Sequence, residues 1–308
     1  MIVYKELSSL CHDLGYSSRA LYSLSNDIES HYYEKIIPKK NGDERTLHVP
    51  DKFLKSVQHS IADKVLFYEP VSKHAMAYRI GRSIATNARY HVGREMILKL
   101  DISKFFDHIT YEMVKEKVFS SERFSEANRV LLAILCTYKN TTPQGAPTSP
   151  VISNIIMRDF DAVVGEYCES RNILYTRYCD DLTFSGSFNV EDFIELVKQE
   201  LKKEGFRLNT KKSVVLCDGQ RKEVTGLVVN EKLSVPRYYK KKLRQEVYYC
   251  KKYGVEEHMA RKGYDSSKDT YIESLIGKIN YVLSIEKDNI EFRELLKEIN
   301  VLFRNKCL

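Results

Sequence analysis

The sequence predicts an α+β fold, in which antiparallel strand pairs and amphipathic helices occupy separate stretches of the chain. Asn41-Gly42, the strongest short hairpin signal, lies between two strand-like runs within residues 32–50. A second strand pair, residues 173–175 and 182–184, flanks Tyr178-Cys179-Asp180-Asp181. Apolar side chains at three- and four-residue spacing predict helices over residues 51–66, 127–138 and 190–204.

The composition is that of a soluble globular protein. Of 308 residues, 43% are hydrophobic and 30% are charged, and the net charge of +7 is compatible with a polyanionic partner. The seven cysteines form no C-x-x-C pair, which is typical of reduced thiols. The first residues lack the apolar core of a signal peptide, and the longest apolar run, residues 130–136, is too short to span a bilayer. We therefore expect a cytoplasmic protein with no membrane partner.

The N-terminal part is predicted to hold two packing helices and then the first hairpin. Leucines recur at helical spacing within residues 1–30. The hairpin carries Lys39, Lys40 and Arg45 near one tip, where point charges and a guanidinium fork suit phosphate oxygens. A basic hairpin tip is also compatible with a solvated surface, so both interpretations remain open from these residues alone.

Two stretches after the helix predicted over residues 51–66 contain candidate functional residues. Residues 77–91 combine basic side chains with a glycine, which predicts a loop and a short helix near a nucleic acid. By itself, His91 is compatible with a structural histidine or with a ligand. Residues 96–101 are the next predicted strand, and Asp101 stands at its end, where a carboxylate can project into a cleft.

Residues 142–150 contain three prolines and one glycine, which predicts a rigid, irregular loop before the next helix. Such a loop is suited to holding its backbone amides and the Gln144 side chain against a ligand. A plain connector between two helices would have the same pattern, so the residues themselves leave both interpretations open.

The acidic pair at the second hairpin tip is the strongest candidate site. The adjacent carboxylates of Asp180 and Asp181 repel each other, which favours a divalent cation with oxygen ligands. A solvated acidic turn is the alternative, since Asp is a common turn former. If Asp101 joins the pair, three carboxylates complete a site for two metal ions.

The C-terminal part is predicted to be largely helical and basic. Gly205 ends the helix over residues 190–204, and residues 223–230 are predicted to pair with residues 233–236. From Arg237 onward, tyrosines are interleaved with lysines and arginines. This mixture suits a helix that lies along a phosphate backbone.

Four ordered motifs resemble those of reverse transcriptases, and the resemblance covers nearly the whole chain. They are Leu100-Asp101-Ile102-Ser103-Lys104-Phe105-Phe106, Pro143-Gln144-Gly145 with Pro147-Thr148-Ser149-Pro150, the Y-x-D-D box Tyr178-Cys179-Asp180-Asp181, and Gly205 with Asn209, Lys212 and Ser213. Two further stretches resemble motifs of bacterial retron reverse transcriptases: N-A-x-x-H at Asn87-Ala88-Arg89-Tyr90-His91 and V-T-G at Val224-Thr225-Gly226.

The resemblance implies a right-hand polymerase fold with fingers, a ferredoxin-like palm and a helical thumb. The fingers would occupy residues 1–95 and part of residues 111–150. The catalytic palm would occupy residues 96–232, and the basic, tyrosine-rich thumb residues 233–308. The palm sheet would bring Asp101 beside the acidic pair.

The resemblance also implies an RNA-directed DNA polymerase with two Mg²⁺ ions. The implied metal ligands are the carboxylates of Asp101, Asp180 and Asp181 and the main-chain carbonyl of Ile102. The residues implied for nucleotide binding are Lys39 and Arg45 on the triphosphate, Gln144 in the pocket, Phe106 against the 2′ position of the sugar, and Lys212 at the leaving pyrophosphate. Lys40 and Lys211 stay open as alternatives to their neighbours.

The implied partners are a cognate structured noncoding RNA, its DNA product, deoxynucleoside triphosphates and an effector protein. Synthesis would start from a 2′-hydroxyl of an internal guanosine and leave RNA-linked single-stranded DNA (msDNA), within an anti-phage defence system. Contact with this RNA, or shaping of the priming site, is implied for Asn87, His91, Val224, Thr225 and Gly226. The alternatives are a group II intron, diversity-generating or abortive-infection reverse transcriptase, and a non-catalytic RNA-binding scaffold.

Overall fold

The structure is a computed structural model that describes residues 3–38, 42 and 44–304. Its α-helices are α1 (Leu7–Leu14), α2 (Ser18–Asn26), α3 (Lys52–Ser60), α4 (Ile84–Arg89), α5 (Tyr111–Met113), α6 (Glu126–Cys136), α7 (Ser149–Ile156), α8 (Arg158–Glu169), α9 (Val190–Lys203), α10 (Arg237–Tyr253), α11 (Val255–Lys262), α12 (Lys268–Ile285) and α13 (Ile290–Arg304). Its strands are β1 (Tyr32–Pro38), β2 (Glu44–Pro50), β3 (Ile97–Asp101), β4 (Leu174–Tyr178), β5 (Asp181–Ser185), β6 (Val214–Leu216), β7 (Glu223–Val224) and β8 (Leu227–Val228). The predicted α+β class is confirmed.

The predicted first hairpin is formed by β1 and β2, which pair in register from Tyr32 opposite Pro50 to Pro38 opposite Glu44. The Lys39, Lys40 and Asn41 positions, on which the prediction of the hairpin tip rested, lie outside the described residues.

A four-stranded sheet with the order β4-β5-β3-β6 carries the predicted second hairpin at one edge. Strand β5 pairs antiparallel with both β4 and β3. Its side chains Leu182 and Phe184 are fully buried, as are Leu98 and Leu100 of β3. The strands also carry buried polar residues, among them Arg177 in β4 and Thr183 in β5, while Asp101 and Asp181 stand at strand ends.

The contacts divide the chain into two units. One unit comprises residues up to Arg82 together with Met96–Val215, and the other comprises Ser83–Glu95 together with the residues from Leu216 onward. One change of unit, between Glu95 and Met96, falls at a predicted boundary, but residues 83–95 pack with the C-terminal part, and the other changes of unit fall after Arg82 and Val215. The division into fingers, palm and thumb therefore stays a prediction.

In the second unit, the predicted pairing of residues 223–230 with 233–236 is confirmed at one position, the antiparallel bridge between Val228 and Ser234. A tighter hairpin turns at Thr225-Gly226, which joins β7 to β8. Both turn residues have positive φ angles, 46° and 80°, as a tight type I′ hairpin requires. The helical character predicted from Arg237 onward is confirmed by α10 to α13. Within the described ranges, no helix has both the length and the apolar character needed to cross a bilayer.

Candidate active site

The sheet brings together three carboxylates that are far apart in the sequence. Asp101, the last residue of β3, lies directly opposite Asp181, the first residue of β5. The amide of Ile102 donates a hydrogen bond to the carbonyl of Asp180 at 3.0 Å, which continues the ladder past the strand end. The predicted proximity of Asp101 to the acidic pair is thus confirmed at backbone level.

The acidic pair is displayed by the shortest type of hairpin connection. Tyr178 pairs with Asp181, so Cys179 and Asp180 form a two-residue loop. Cys179 has a φ angle of 61°. A positive φ at the first loop position only is the pattern of a type II′ turn, a geometry that matches the twist of the flanking strands.

Burial and neighbouring negative charge both raise the pKa values of the acidic pair. Burial raises the pKa of the Asp180 carboxyl, and the charge of Asp101 adds to this effect. Asp181 is exposed by surface area, but the surrounding protein desolvates its carboxyl, and this effect and then the charge of Asp180 raise its pKa to about 6.

Asp101 is held from its other side by the stretch after α9. The amide of Asn209 donates to the Asp101 carbonyl at 2.8 Å, and its side-chain Nδ2 donates to Oδ2 at 3.1 Å. Lys212 Nζ donates to Asp101 Oδ1 at 2.8 Å, and this bond raises the pKa of Lys212. Of the two adjacent lysines, Lys212 is therefore the one that contacts the carboxylates.

A single pocket of about 820 Å³ collects the predicted nucleotide-binding residues of the described chain. Its walls include Arg45, Phe106, Gln144 and Lys212, together with the three carboxylates and Ile102. Lys39 lies outside the described residues. The geometry assembles the other predicted residues, while their individual roles stay predictions.

The loop of Gln144 is fixed by close backbone contacts. The Ser149 hydroxyl donates to the Pro143 carbonyl at 2.8 Å, and the Thr142 amide donates to the Ile109 carbonyl at 2.9 Å. Gly145 has a φ angle of 130°, and a Cβ atom there would lie 2.9 Å from the His48 carbonyl oxygen of β2. Glycine at this position lets the loop lie directly against the strand that carries Arg45.

Phe105 and Phe106 have different environments. Phe105 is 3% exposed and packs against Phe206, at 5.4 Å between ring centroids, within the core. Phe106 is only partly buried, begins a 3₁₀ turn, and accepts a hydrogen bond at its carbonyl from the Thr142 hydroxyl at 3.1 Å.

Sequence reasoning did not assign roles to three residues that line the same pocket: Tyr78, Lys104 and Lys139. All three have positive φ angles, of 59°, 46° and 47°. Non-glycine residues rarely have positive φ angles, and no sequence pattern predicts a positive φ angle for a Tyr or a Lys. Lys104 lies inside the Asp101 motif, and that position was the one available signal.

The donor set suits magnesium. Among the described residues, no three Asp, Glu, His or Cys side chains are grouped so as to hold a metal ion by themselves. Mg²⁺ is usually held by one or two carboxylates with water and substrate phosphates, so a closed protein cage is not required. Asp101, Asp180 and Asp181 line one pocket, and burial together with the neighbouring carboxylate charges raises the pKa values of Asp180 and Asp181, which fits a cation held there with water and phosphate ligands.

The two stretches predicted to contact RNA meet each other in the second unit. Asn87 of α4 donates to the Thr225 hydroxyl at 3.4 Å, and that hydroxyl donates to the Ile84 carbonyl at 3.0 Å. Asn87, His91 and Val224 are fully buried and present no surface to an RNA, whereas Gly226 is exposed. Direct RNA contact therefore stays a prediction for the exposed turn, and the buried side chains support that turn.

This site geometry coincides with a family match. The family model described as "Reverse transcriptase (RNA-dependent DNA polymerase)" matches residues 37–247. The chain belongs to the reverse transcriptases, and the predicted polymerase fold and RNA-directed DNA polymerase class are confirmed.

Similar proteins show to which group of reverse transcriptases the chain belongs. Retron Ec86 reverse transcriptase from Escherichia coli is 29% identical over 94% of this chain and 88% of its own length. Retron Ec83 reverse transcriptase, also from Escherichia coli, is 31% identical over 85% of each chain. Retron Mx65 reverse transcriptase from Myxococcus xanthus is 32% identical over 84% of this chain, but the match spans only 66% of the relative. Within the family, the chain belongs to the retron reverse transcriptases, as predicted.

Proposed function

We propose that the chain copies part of a cognate structured noncoding RNA into RNA-linked single-stranded DNA in a magnesium-dependent reaction. The observation that carries this proposal is the convergence of Asp101, Asp180 and Asp181 in one pocket with Arg45 and Lys212. Three carboxylates facing a nucleic-acid backbone would oppose simple binding, so their presence favours catalysis over a scaffold role.

In this proposal the three carboxylates and the Ile102 carbonyl hold two Mg²⁺ ions. When bound, these ions lower the pKa of the primer hydroxyl and stabilise the charge of the leaving pyrophosphate. The remaining roles belong to the side chains that line the pocket. Arg45, with Lys39, binds the triphosphate through charge-assisted hydrogen bonds.

Selection of the nucleotide is assigned to Phe106 and Gln144. Phe106 is partly exposed at the pocket wall, so its ring excludes a ribose 2′-hydroxyl by steric contact and favours deoxynucleotides. The rigid loop around Gly145 holds Gln144 against the incoming nucleotide. Lys212, whose pKa is raised by its bond to Asp101, stays protonated and can neutralise or protonate the leaving pyrophosphate.

The basic helix α10 is assigned to the RNA backbone. Tyr238 and Tyr248 on this helix are 64% and 54% exposed. Lys252 Nζ lies 5.7 Å from the ring centroid of Tyr248 and 5.2 Å from that of Tyr253. Exposed tyrosines beside lysines offer both stacking surface and phosphate contacts, which suits recognition of RNA by shape and 2′-hydroxyl groups.

The priming chemistry and the biological role complete the proposal. Synthesis starts from the 2′-hydroxyl of an internal guanosine, and the product takes part in cytoplasmic anti-phage defence with an effector protein. This part rests on membership of the retron family.

The test is to coexpress the chain with the structured RNA encoded beside its gene and to sequence the nucleic acid that copurifies. We expect DNA joined to RNA by a bond that a 2′,5′-phosphodiesterase cleaves, and none from the Asp180→Asn/Asp181→Asn double variant. Asp159→Asn, an exposed acid on α8, is the matched control. DNA with no attached RNA, or product from the double variant, would contradict the proposal.

A further inference from the structure

An irregular segment extends the edge of the catalytic sheet. Strand β4 is the outer strand of the sheet, and residues 74–78 run along it. The Arg177 amide donates to the His74 carbonyl at 2.8 Å, and the Met76 amide donates to the Arg177 carbonyl at 2.7 Å. This parallel pairing, with Ala75 opposite Arg177, brings Tyr78 to the level of the catalytic turn.

Tyr78 and Cys179 are joined by a hydrogen bond, and both have positive φ angles. The Tyr78 hydroxyl donates to Cys179 Sγ at 3.4 Å. Their φ angles of 59° and 61° lie in the left-handed region, where a bulky residue such as tyrosine is an outlier. The Tyr78 side chain lines the active-site pocket while the residue remains 49% exposed.

A buried polar network holds both residues in these conformations. Asn154 Nδ2 donates to the Ala77 carbonyl at 2.9 Å. Arg177 Nη1 donates to Asn154 Oδ1 at 3.1 Å and to the Cys179 carbonyl at 3.3 Å. Arg177 is itself held by a fully buried ion pair with Asp161 at 2.7 Å.

This arrangement has features that structural support alone does not require. A glycine at position 78 would adopt the positive φ without strain, and the network that holds the Ala77 carbonyl needs no side chain there. The chain instead has an aromatic residue whose hydroxyl contacts the turn carrying Asp180. Strained residues that their surroundings fix in this way are typical of functional sites.

We propose that Tyr78 is a positioning residue for nucleotidyl transfer: its hydroxyl fixes the Cys179 side chain and thereby the carboxylate of Asp180 in the next position. The inference rests on the proposed function of the same pocket. Three contacts then hold the turn, from Tyr78 to the sulfur, from Arg177 to the Cys179 carbonyl, and from Ile102 to the Asp180 carbonyl.

The test compares Tyr78→Phe, which removes only the hydroxyl, with the wild-type chain in single-nucleotide extension of a primed RNA template. We expect kcat per active site to fall about tenfold, equivalent to about 1.4 kcal/mol of transition-state stabilisation, because a small displacement of a catalytic group is costly. We expect KM for the nucleotide and the thermal midpoint to stay unchanged. Tyr68→Phe, at a 70% exposed tyrosine of the same unit, is the matched control and should match the wild type.

A double-mutant cycle with Cys179→Ala separates positioning from general support. If the hydroxyl acts through the sulfur, Tyr78→Phe lowers kcat no further in the Cys179→Ala background. Any of three results would overturn the inference. The first is a wild-type kcat in Tyr78→Phe, and the second is a double variant whose loss of kcat is the product of the losses in Tyr78→Phe and Cys179→Ala. The third is a loss of kcat that a lower thermal midpoint accounts for. Failure of the proposed function is distinguishable, since the wild-type chain itself would then extend no primer.

Discussion

Replacing Asp161 by Asn is expected to lower the free energy of unfolding by about 3–5 kcal/mol, because it leaves a buried charge without its partner. Asp161 and Arg177 are both 0% exposed. Asp161 accepts hydrogen bonds from Arg177 Nε at 2.9 Å, from Arg177 Nη2 at 2.7 Å and from the Tyr175 hydroxyl at 2.7 Å. Asn has nearly the same volume as Asp, so the loss of unfolding free energy does not come from a cavity. It comes from the lost negative charge and from the Asn amide group, a hydrogen-bond donor that would face the guanidinium donors.

The assay is urea unfolding followed by circular dichroism, with Asp159→Asn as the matched control on the same helix, α8. Asp159 is 62% exposed and contacts the partly exposed Arg158 at 3.6 Å, so its replacement should change stability by less than about 1 kcal/mol. A change below about 1 kcal/mol in Asp161→Asn as well would contradict the expected cost of leaving Arg177 buried without its charged partner.

Two further predictions concern one residue from each unit. Burial lowers the pKa of His91 to about 3 in the folded state, whereas in the unfolded chain the imidazole is protonated near pH 6.5. Protonation therefore favours the unfolded state, and the free energy of unfolding falls as pH drops below about 6.5. Between pH 7 and pH 5 the wild-type chain should lose about 2 kcal/mol more than His91→Gln in urea titrations, and parallel losses would contradict this. Gly145→Ala should lower the thermal midpoint and raise KM for the nucleotide, because its Cβ would press on the His48 carbonyl at 2.9 Å. Ala at position 145 also meets the strain of a φ angle of 130°, and Gly81→Ala, at a φ angle of 74° with nothing within 4 Å, is the control for a positive-φ glycine without a clash; equal effects in the two variants would contradict the prediction.

The carboxylate part of the site was predictable because local patterns placed each Asp at the end of a strand or at a hairpin tip and motif order joined them. Strand alternation placed Asp101 at the end of β3, and apolar runs flanked the acidic pair at a hairpin tip. The resemblance supplied the pairing of β3 with β5, which the structure confirms by placing Asp101 opposite Asp181. Secondary-structure patterns and motif order together were sufficient for this part of the site.

The contacts of Tyr78 and Thr225 were not predictable from local patterns. Tyr78 reaches Cys179 only because residues 74–78 pair with β4, a strand about 100 residues later in the chain. Thr225 has a positive φ that a β-branched residue rarely adopts, so the sequence did not mark the hairpin turn. Its hydrogen bonds with Ile84 and Asn87 support this conformation, and they arise only when residues 83–95 pack with the C-terminal unit.

Primer extension on an RNA template with deoxynucleotides and Mg²⁺ tests the central claim most directly. The wild-type chain should extend the primer, chelation of the metal should stop synthesis, and Asp180→Asn should lower the rate by at least about a thousandfold, because the site then loses a charged ligand. Asp159→Asn should extend at the wild-type rate. Synthesis by Asp180→Asn at a rate near that of the wild type would contradict the assignment of the three carboxylates as the catalytic centre.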